Sequence, residues 1–117
     1  MLRMTEKQNE AYEKISQELR RGLVILAALS RLGEEQYGYS LIGELAERGF
    51  EIDQGTLYPV LRRLESQGLL DSSWNVEGSR PRRYYIINKT GRAVLSALVE
   101  DWRSLAEVMD GLLKTTN

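Results

Sequence analysis

The chain has 117 residues, 42% apolar and 28% charged, with a net charge of −1. That suits one domain with an ordinary core, and neither a disordered polyelectrolyte nor a uniformly basic protein. With no Cys and no His, it has no disulfide, thiolate or imidazole zinc site, Cys nucleophile, His general base or Ser-His-Asp arrangement.

Zero Cys suits a reducing cytoplasm. Residues 1–15 carry no apolar core of signal-peptide length, and the longest apolar run, residues 23–29 (LVILAAL), is too short for a bilayer. A soluble, cytoplasmic protein with no membrane partner is therefore expected. The balance of charge hides an asymmetry. Residues 1–53 hold 7 basic and 10 acidic groups, residues 54–92 hold 7 and 3, and residues 93–117 hold 2 and 4. The middle third is net positive, so one face could meet phosphate while the rest stays acidic.

Residues 5–19 read as a charged helix, with Thr5 as its cap and Gln8 three residues on. Tyr12, Ile15, Leu19, Gly22, Leu26 and Leu29 recur at steps of 3 and 4. They form one stripe, either continuous through Arg20-Arg21 or bent at Gly22, ending near Gly33. A second helix spans residues 37–49, with Ser40 as N-cap, Leu41, Ile42 and Leu45 facing inward and Gly49 as its stop. Phe50-Glu51-Ile52 is a short extended link. Asp53 caps a third helix running to about Gln67, with Leu57, Val60, Leu61 and Leu64 inward and Gly68 as its stop. Pro59 sits inside that helix, which predicts a late start at Gly55 or Thr56, or a slight kink.

Residues 69–76 and 82–87 then read as two strands of a β-hairpin joined by Glu77-Gly78-Ser79-Arg80-Pro81, with Trp74 covering the core. Thr90 and Gly91 open a final helix reaching about Leu113. On it Leu95, Leu98, Trp102, Leu105, Met109 and Leu112 are spaced 3-4-3-4-3, an a/d seam. One small core does not absorb six seam residues. A second protomer is the expected partner, with Tyr12 and Ile15 of the N-terminal helix at the same interface. Trp102 has two readings, as a packing residue of that seam or as a platform for a flat aromatic effector between protomers.

The polar face of the third helix carries Gln54, Thr56, Tyr58, Arg62 and Arg63, and the hairpin carries Arg80, Arg82 and Arg83. Arg reads guanine, Gln reads adenine, and Thr and Tyr meet phosphate or a thymine methyl. A helix-turn-helix followed at once by a basic hairpin is a winged helix, which would dock on double-stranded DNA. Carboxylate neighbours such as Glu34-Glu35 and Glu100-Asp101 stand beside no nucleophile, and neither GxxxxGK[ST] nor GxGxxG occurs. No enzyme, cofactor or metal is expected. A winged-helix module for protein–protein assembly, without a DNA role, is the alternative.

Tyr37-Gly38-Tyr39, Gly55-Thr56-Leu57-Tyr58-Pro59, Leu61-Arg62-Arg63-Leu64-Glu65, Gly68-Leu69-Leu70, Arg82-Arg83-Tyr84-Tyr85 and Thr90-Gly91 occur in this order. Together they resemble the PadR family of bacterial transcriptional regulators over about residues 19–112. The single C-terminal helix with Trp102 resembles its small, multidrug-responsive branch. The resemblance implies an α+β, mostly α fold: a winged helix-turn-helix with an N-terminal helix and a long C-terminal dimerisation helix. The chain would divide into an N-terminal helical extension (1–18), the DNA-binding domain (19–92) and the dimerisation helix (93–117). It further implies a homodimeric repressor on a pseudo-palindromic operator. Tyr37, Tyr39 and Ser40 would touch the DNA backbone, Thr56, Tyr58 and Arg62 would lie on the recognition helix, and Arg82 and Arg83 in the wing. Trp102, with Leu105 and Met109 beside it and Leu19 and Leu23 across from the first helix, would line a pore for flat aromatic compounds. The extension of residues 1–18 is longer than the usual lead-in of such proteins.

Overall fold

A computed structural model describes residues 3–114; the tips of the expected extension and final segment, residues 1–2 and 115–117, lie outside it. The order is α1 (Glu6–Arg31), β1 (Gln36–Tyr37), α2 (Gly38–Glu47), α3 (Gln54–Ser66), β2 (Leu70–Asn75), β3 (Arg82–Ile87) and α4 (Lys89–Leu113). The three strands form one antiparallel sheet in the order β1-β3-β2.

Helix α1 begins with the expected capping box. The Thr5 hydroxyl accepts the Gln8 N–H, and the Gln8 side chain accepts the Thr5 N–H. It then runs 26 residues without a break at Gly22. It ends at Leu32, one residue before the expected Gly33. Leu32 is fully buried and its carbonyl accepts the Ile87 N–H at 2.8 Å, so tertiary contact, not a left-handed glycine, stops the helix. Helices α2 and α3 do stop as expected. The N–H groups of Gly49 and Phe50 return to Ala46 and Leu45, and those of Gly68 and Leu69 to Glu65 and Leu64. Both glycines have positive φ, and each closes a Schellman motif.

Two local expectations are corrected. Ser40 is not an N-cap: that position falls three residues earlier, at Tyr37, and the Ser40 hydroxyl donates instead to Gln36 Oε1 at 2.8 Å. The third helix starts at Gln54, not late. The Asp53 carboxylate accepts the Thr56 N–H at 2.8 Å, and Pro59 sits inside the helix. Pro59 removes the N–H that would have met the Gly55 carbonyl and crowds that carbonyl with its ring, in a helix held by the Asp53 cap and the leucine face.

The core is one cluster. It takes Val24, Ala28, Leu29 and Leu32 from α1 and its end, Leu41 and Leu45 from α2, and Leu57, Leu61 and Leu64 from α3. Leu70, Tyr85 and Ile87 come from the sheet. Ile42 and Val60 pack against it half-buried. Leu95 and Leu98 do the same: the first two positions of the expected seam pack against the chain's own core, because the start of α4 lies there, and both stay part-exposed. Beyond Val99 on α4 and before Gly22 on α1, nearly every side chain is exposed.

Glu44 ties α1, β1 and α2 together. Its carboxylate accepts from Arg31 Nε at 2.8 Å, Gln36 Nε2 at 3.0 Å and Arg48 Nε at 3.3 Å. These partners, the Gln36 amide first, hold its carboxyl below the ordinary 4.5 although partial burial opposes them. Because the folded value lies below the unfolded one, the stabilisation is present at neutral pH and drains away as the pH falls through the carboxylate range. Thermal unfolding of Glu44→Gln is expected to show a lower Tm than the wild type at neutral pH and a difference that closes in acid.

Candidate nucleic-acid interface

The wing is the β2–β3 hairpin, joined by residues 76–81, with Trp74 opposite Arg83 and Asn75 opposite Arg82. Alternation puts Leu70, Ser72 and Trp74 on one face with Ile87, Tyr85 and Arg83. Burial declines along that face from Leu70 to Trp74, which is 61% exposed. The expectation that Trp74 covers the core is therefore wrong. It lies on the distal half of the wing, beyond the core's reach, under the Arg83 guanidinium at 5.6 Å. On the other face Tyr84 meets Tyr37 of β1 edge-on, with ring centroids 5.3 Å apart, and the Arg82 guanidinium sits 4.5 Å from the Tyr37 ring centre. The two-residue strand β1 thus binds the start of α2 to the wing.

Between α3 and the wing lies an open groove of about 590 Å³. Its lining includes Tyr37 and Tyr39 from the start of α2, Gln54, Tyr58 and Arg62 from α3, and Arg80, Arg82 and Arg83 from the wing. No carboxylate lines it. Trp74 and Tyr85, which sequence reasoning did not assign to this face, line it as well; the hairpin register that pairs Trp74 with Arg83 is the signal that would have placed them. Burial raises the Tyr85 phenol above its ordinary 10.0. Gly38 lets the Tyr58 ring come down on the α2 backbone.

Three expected site residues are outside the lining of this groove. Ser40 is engaged with Gln36. Thr56 is exposed and lines a second cleft, of about 440 Å³, between α1 and residues 50–53. Arg63 is exposed on α3 outside the groove. Of the residues expected around an effector, Trp102, Leu105 and Met109 are exposed on α4 and Leu19 is exposed on α1, while Leu23 is half-buried. Tyr12 and Ile15 are exposed on the outer half of α1, and Leu112 is 57% exposed on α4.

A helix-turn-helix whose second helix adjoins a basic, sheet-borne hairpin defines a winged-helix protein. Residues 25–97 match the Transcriptional regulator PadR-like family. A transcriptional regulator from Mycobacterium tuberculosis is 42% identical over 92 residues, covering 78% of this chain and 83% of that one. The crystal structure of a PadR family transcriptional regulator from Eggerthella lenta superposes with a TM-score of 0.89 at 41% identity, covering 96% of this chain and all of that one. A PadR family regulator from Clostridium difficile gives 0.69 at 30% identity, covering 77% of this chain and 97% of that one. The chain belongs to the PadR-like family, whose members are DNA-binding transcriptional regulators and not enzymes. No helix among the described residues is long and apolar enough to cross a membrane.

Proposed function

We propose that this chain is a repressor that binds a pseudo-palindromic operator as a homodimer. The observation that carries the reading is the carboxylate-free groove between α3 and the wing, where Arg62, Arg80 and Arg82 converge with Tyr37, Tyr39, Tyr58 and Gln54. Helix α3 would enter the major groove, with Gln54, Thr56, Tyr58, Arg62 and Arg63 at base edges and backbone, and Ser40 beside it at a phosphate. The wing would follow the neighbouring backbone. The dimer would be built from the outer halves of α1 and α4, through Tyr12, Ile15, Trp102, Leu105, Met109 and Leu112. Isolated helical segments of that length are marginal in water, and their exposed apolar faces call for a partner.

Arg62→Ala is expected to weaken binding to a DNA duplex by about tenfold or more and to lower the salt slope by about one, measured by anisotropy across a salt series. An assembly module without a DNA role predicts no binding by the wild type even at low salt. The same dimer would take flat aromatic or hydrophobic effectors between the two Trp102 rings, with Leu19, Leu23, Leu105 and Met109 around them, and release DNA when the angle between the wings changes. The half-exposed Trp102 beside Leu105 and Met109 supports this. Titration with flat aromatic cations should quench the fluorescence of the wild type saturably, and Trp102→Phe should abolish the effect. Equal quenching in both would remove the site.

A further inference from the structure

One arginine of the basic wing is already engaged inside the fold. Arg83 Nη2 donates to Glu65 Oε1 at 2.7 Å, Arg83 Nε donates to Ser72 Oγ at 3.1 Å, and the Ser72 hydroxyl donates to the other carboxylate oxygen of Glu65. The three residues belong to three elements: the last turn of α3, β2 and β3. The guanidinium also lies 5.6 Å from the Trp74 ring centre and 5.7 Å from that of Tyr85. Arg62, Arg80 and Arg82 are exposed, the last with its guanidinium over the Tyr37 ring.

We propose that Arg83 is a positioning residue and not a phosphate ligand: with Glu65 and Ser72 it forms a latch that fixes the wing relative to α3. The assignment of what the latch serves rests on the DNA-binding reading of the groove. Two-stranded ribbons are weakly constrained on their own. Here β1 braces β3 at Tyr84 and Tyr85, on the strand away from α3. The latch supplies the tie on the α3 side, at Ser72, two residues below Trp74. It needs the planar fork of an arginine, because one guanidinium must reach a hydroxyl and a carboxylate together. It also aligns the cation against Trp74, so the distal wing is held through the same group.

The sign of one substitution separates this from simple electrostatics. Glu65 is an acidic group near a DNA-binding face, so charge alone predicts that Glu65→Gln strengthens binding. The latch predicts the reverse. Binding is measured by anisotropy on a mixed-sequence duplex of about 30 base pairs at low salt, long enough for two half-sites. Wing geometry is read by fluorine NMR of protein labelled with 5-fluorotryptophan, the Trp74 signal being assigned by its absence in Trp74→Phe. Glu65→Gln is expected to bind about tenfold more weakly with an unchanged salt slope. Its Trp74 signal should move while that of Trp102 stays. Arg83→Lys keeps the charge but loses the fork, and should reproduce both effects; the double variant should be no worse than either single one. Equal or tighter binding by Glu65→Gln, or wild-type binding and an unmoved Trp74 signal in Arg83→Lys, would overturn the latch. If the wild type binds no duplex at all, the DNA reading fails on its own, and the fluorine signals still decide whether the latch holds the wing.

Discussion

Leu105→Asp is expected to leave the protein monomeric and to weaken DNA binding by about a hundredfold or more. Leu105 is 59% exposed in the single chain, midway along the part of α4 that the core does not use, between Trp102 and Met109 on the same helical stripe. In a two-fold interface the substitution enters twice, and each carboxylate would be buried without a partner, at a cost of several kcal/mol. The loss of DNA affinity follows from geometry: one winged helix reads one half-site, and joining two converts the second contact into an intramolecular one. Sedimentation gives the mass and anisotropy the affinity. Far-UV circular dichroism should show a modest loss of helix from the outer halves of α1 and α4, with the core intact. Ser104→Asp, which adds the same charge off the stripe, should stay dimeric. A Leu105→Asp protein that remains dimeric and binds as tightly as the wild type would refute the interface.

Gly91→Ala carries the largest expected cost in stability, and its sign is opposite to what helix propensity predicts. Gly91 lies in the first turn of α4, where alanine would ordinarily gain about 1 kcal/mol over glycine. A Cβ at this position would overlap the Leu69 backbone carbonyl and the Ile87 side chain. Neither can yield. The Leu69 carbonyl accepts the Asn88 N–H, and the Asn88 side chain caps Gly91 at 2.8 Å while donating to the Gly68 carbonyl and to Asp71. The start of α4, the end of α3 and the root of the wing meet there on backbone atoms. Overpacking at such a joint costs about 2–4 kcal/mol, a fall in Tm on the order of 10 °C. Gly43→Ala, at an exposed position of α2 with open space around it, is the control and should raise Tm slightly. Thermal unfolding of the pair checks the prediction, and a Gly91→Ala protein as stable as the wild type would refute the close approach.

Most of the groove was legible in the chain. Removing the leucines from the α3 period leaves Gln54, Tyr58 and Arg62 on the outer face, and the structure brings them to the same groove as Arg80, Arg82 and Arg83. What local pattern could not show was which arginine was already spoken for. The partners of Arg83 lie 18 and 11 residues away on other elements. Strand β1 was missed for a related reason. Two residues carry no period, and Gln36 and Tyr37 become a strand only because Tyr84 and Tyr85 pass beside them.

Periodicity and capping chemistry are local, so the sequence by itself determined the helices, their stops at Gly49 and Gly68, the hairpin, the concentration of basic charge in the middle third and the apolar stripe of α4. Only the tertiary structure decided how that material is shared out. It packed Leu95 and Leu98 against the chain's own core and left Trp102, Leu105 and Met109 exposed. It carried Trp74 out along the wing beyond the core's reach, and it set Arg83 against Glu65 while leaving Arg62 and Arg80 exposed. These outcomes depend on which elements pack together, and contacts across that distance are chosen by the burial of the leucine core as a whole rather than by any neighbouring residue.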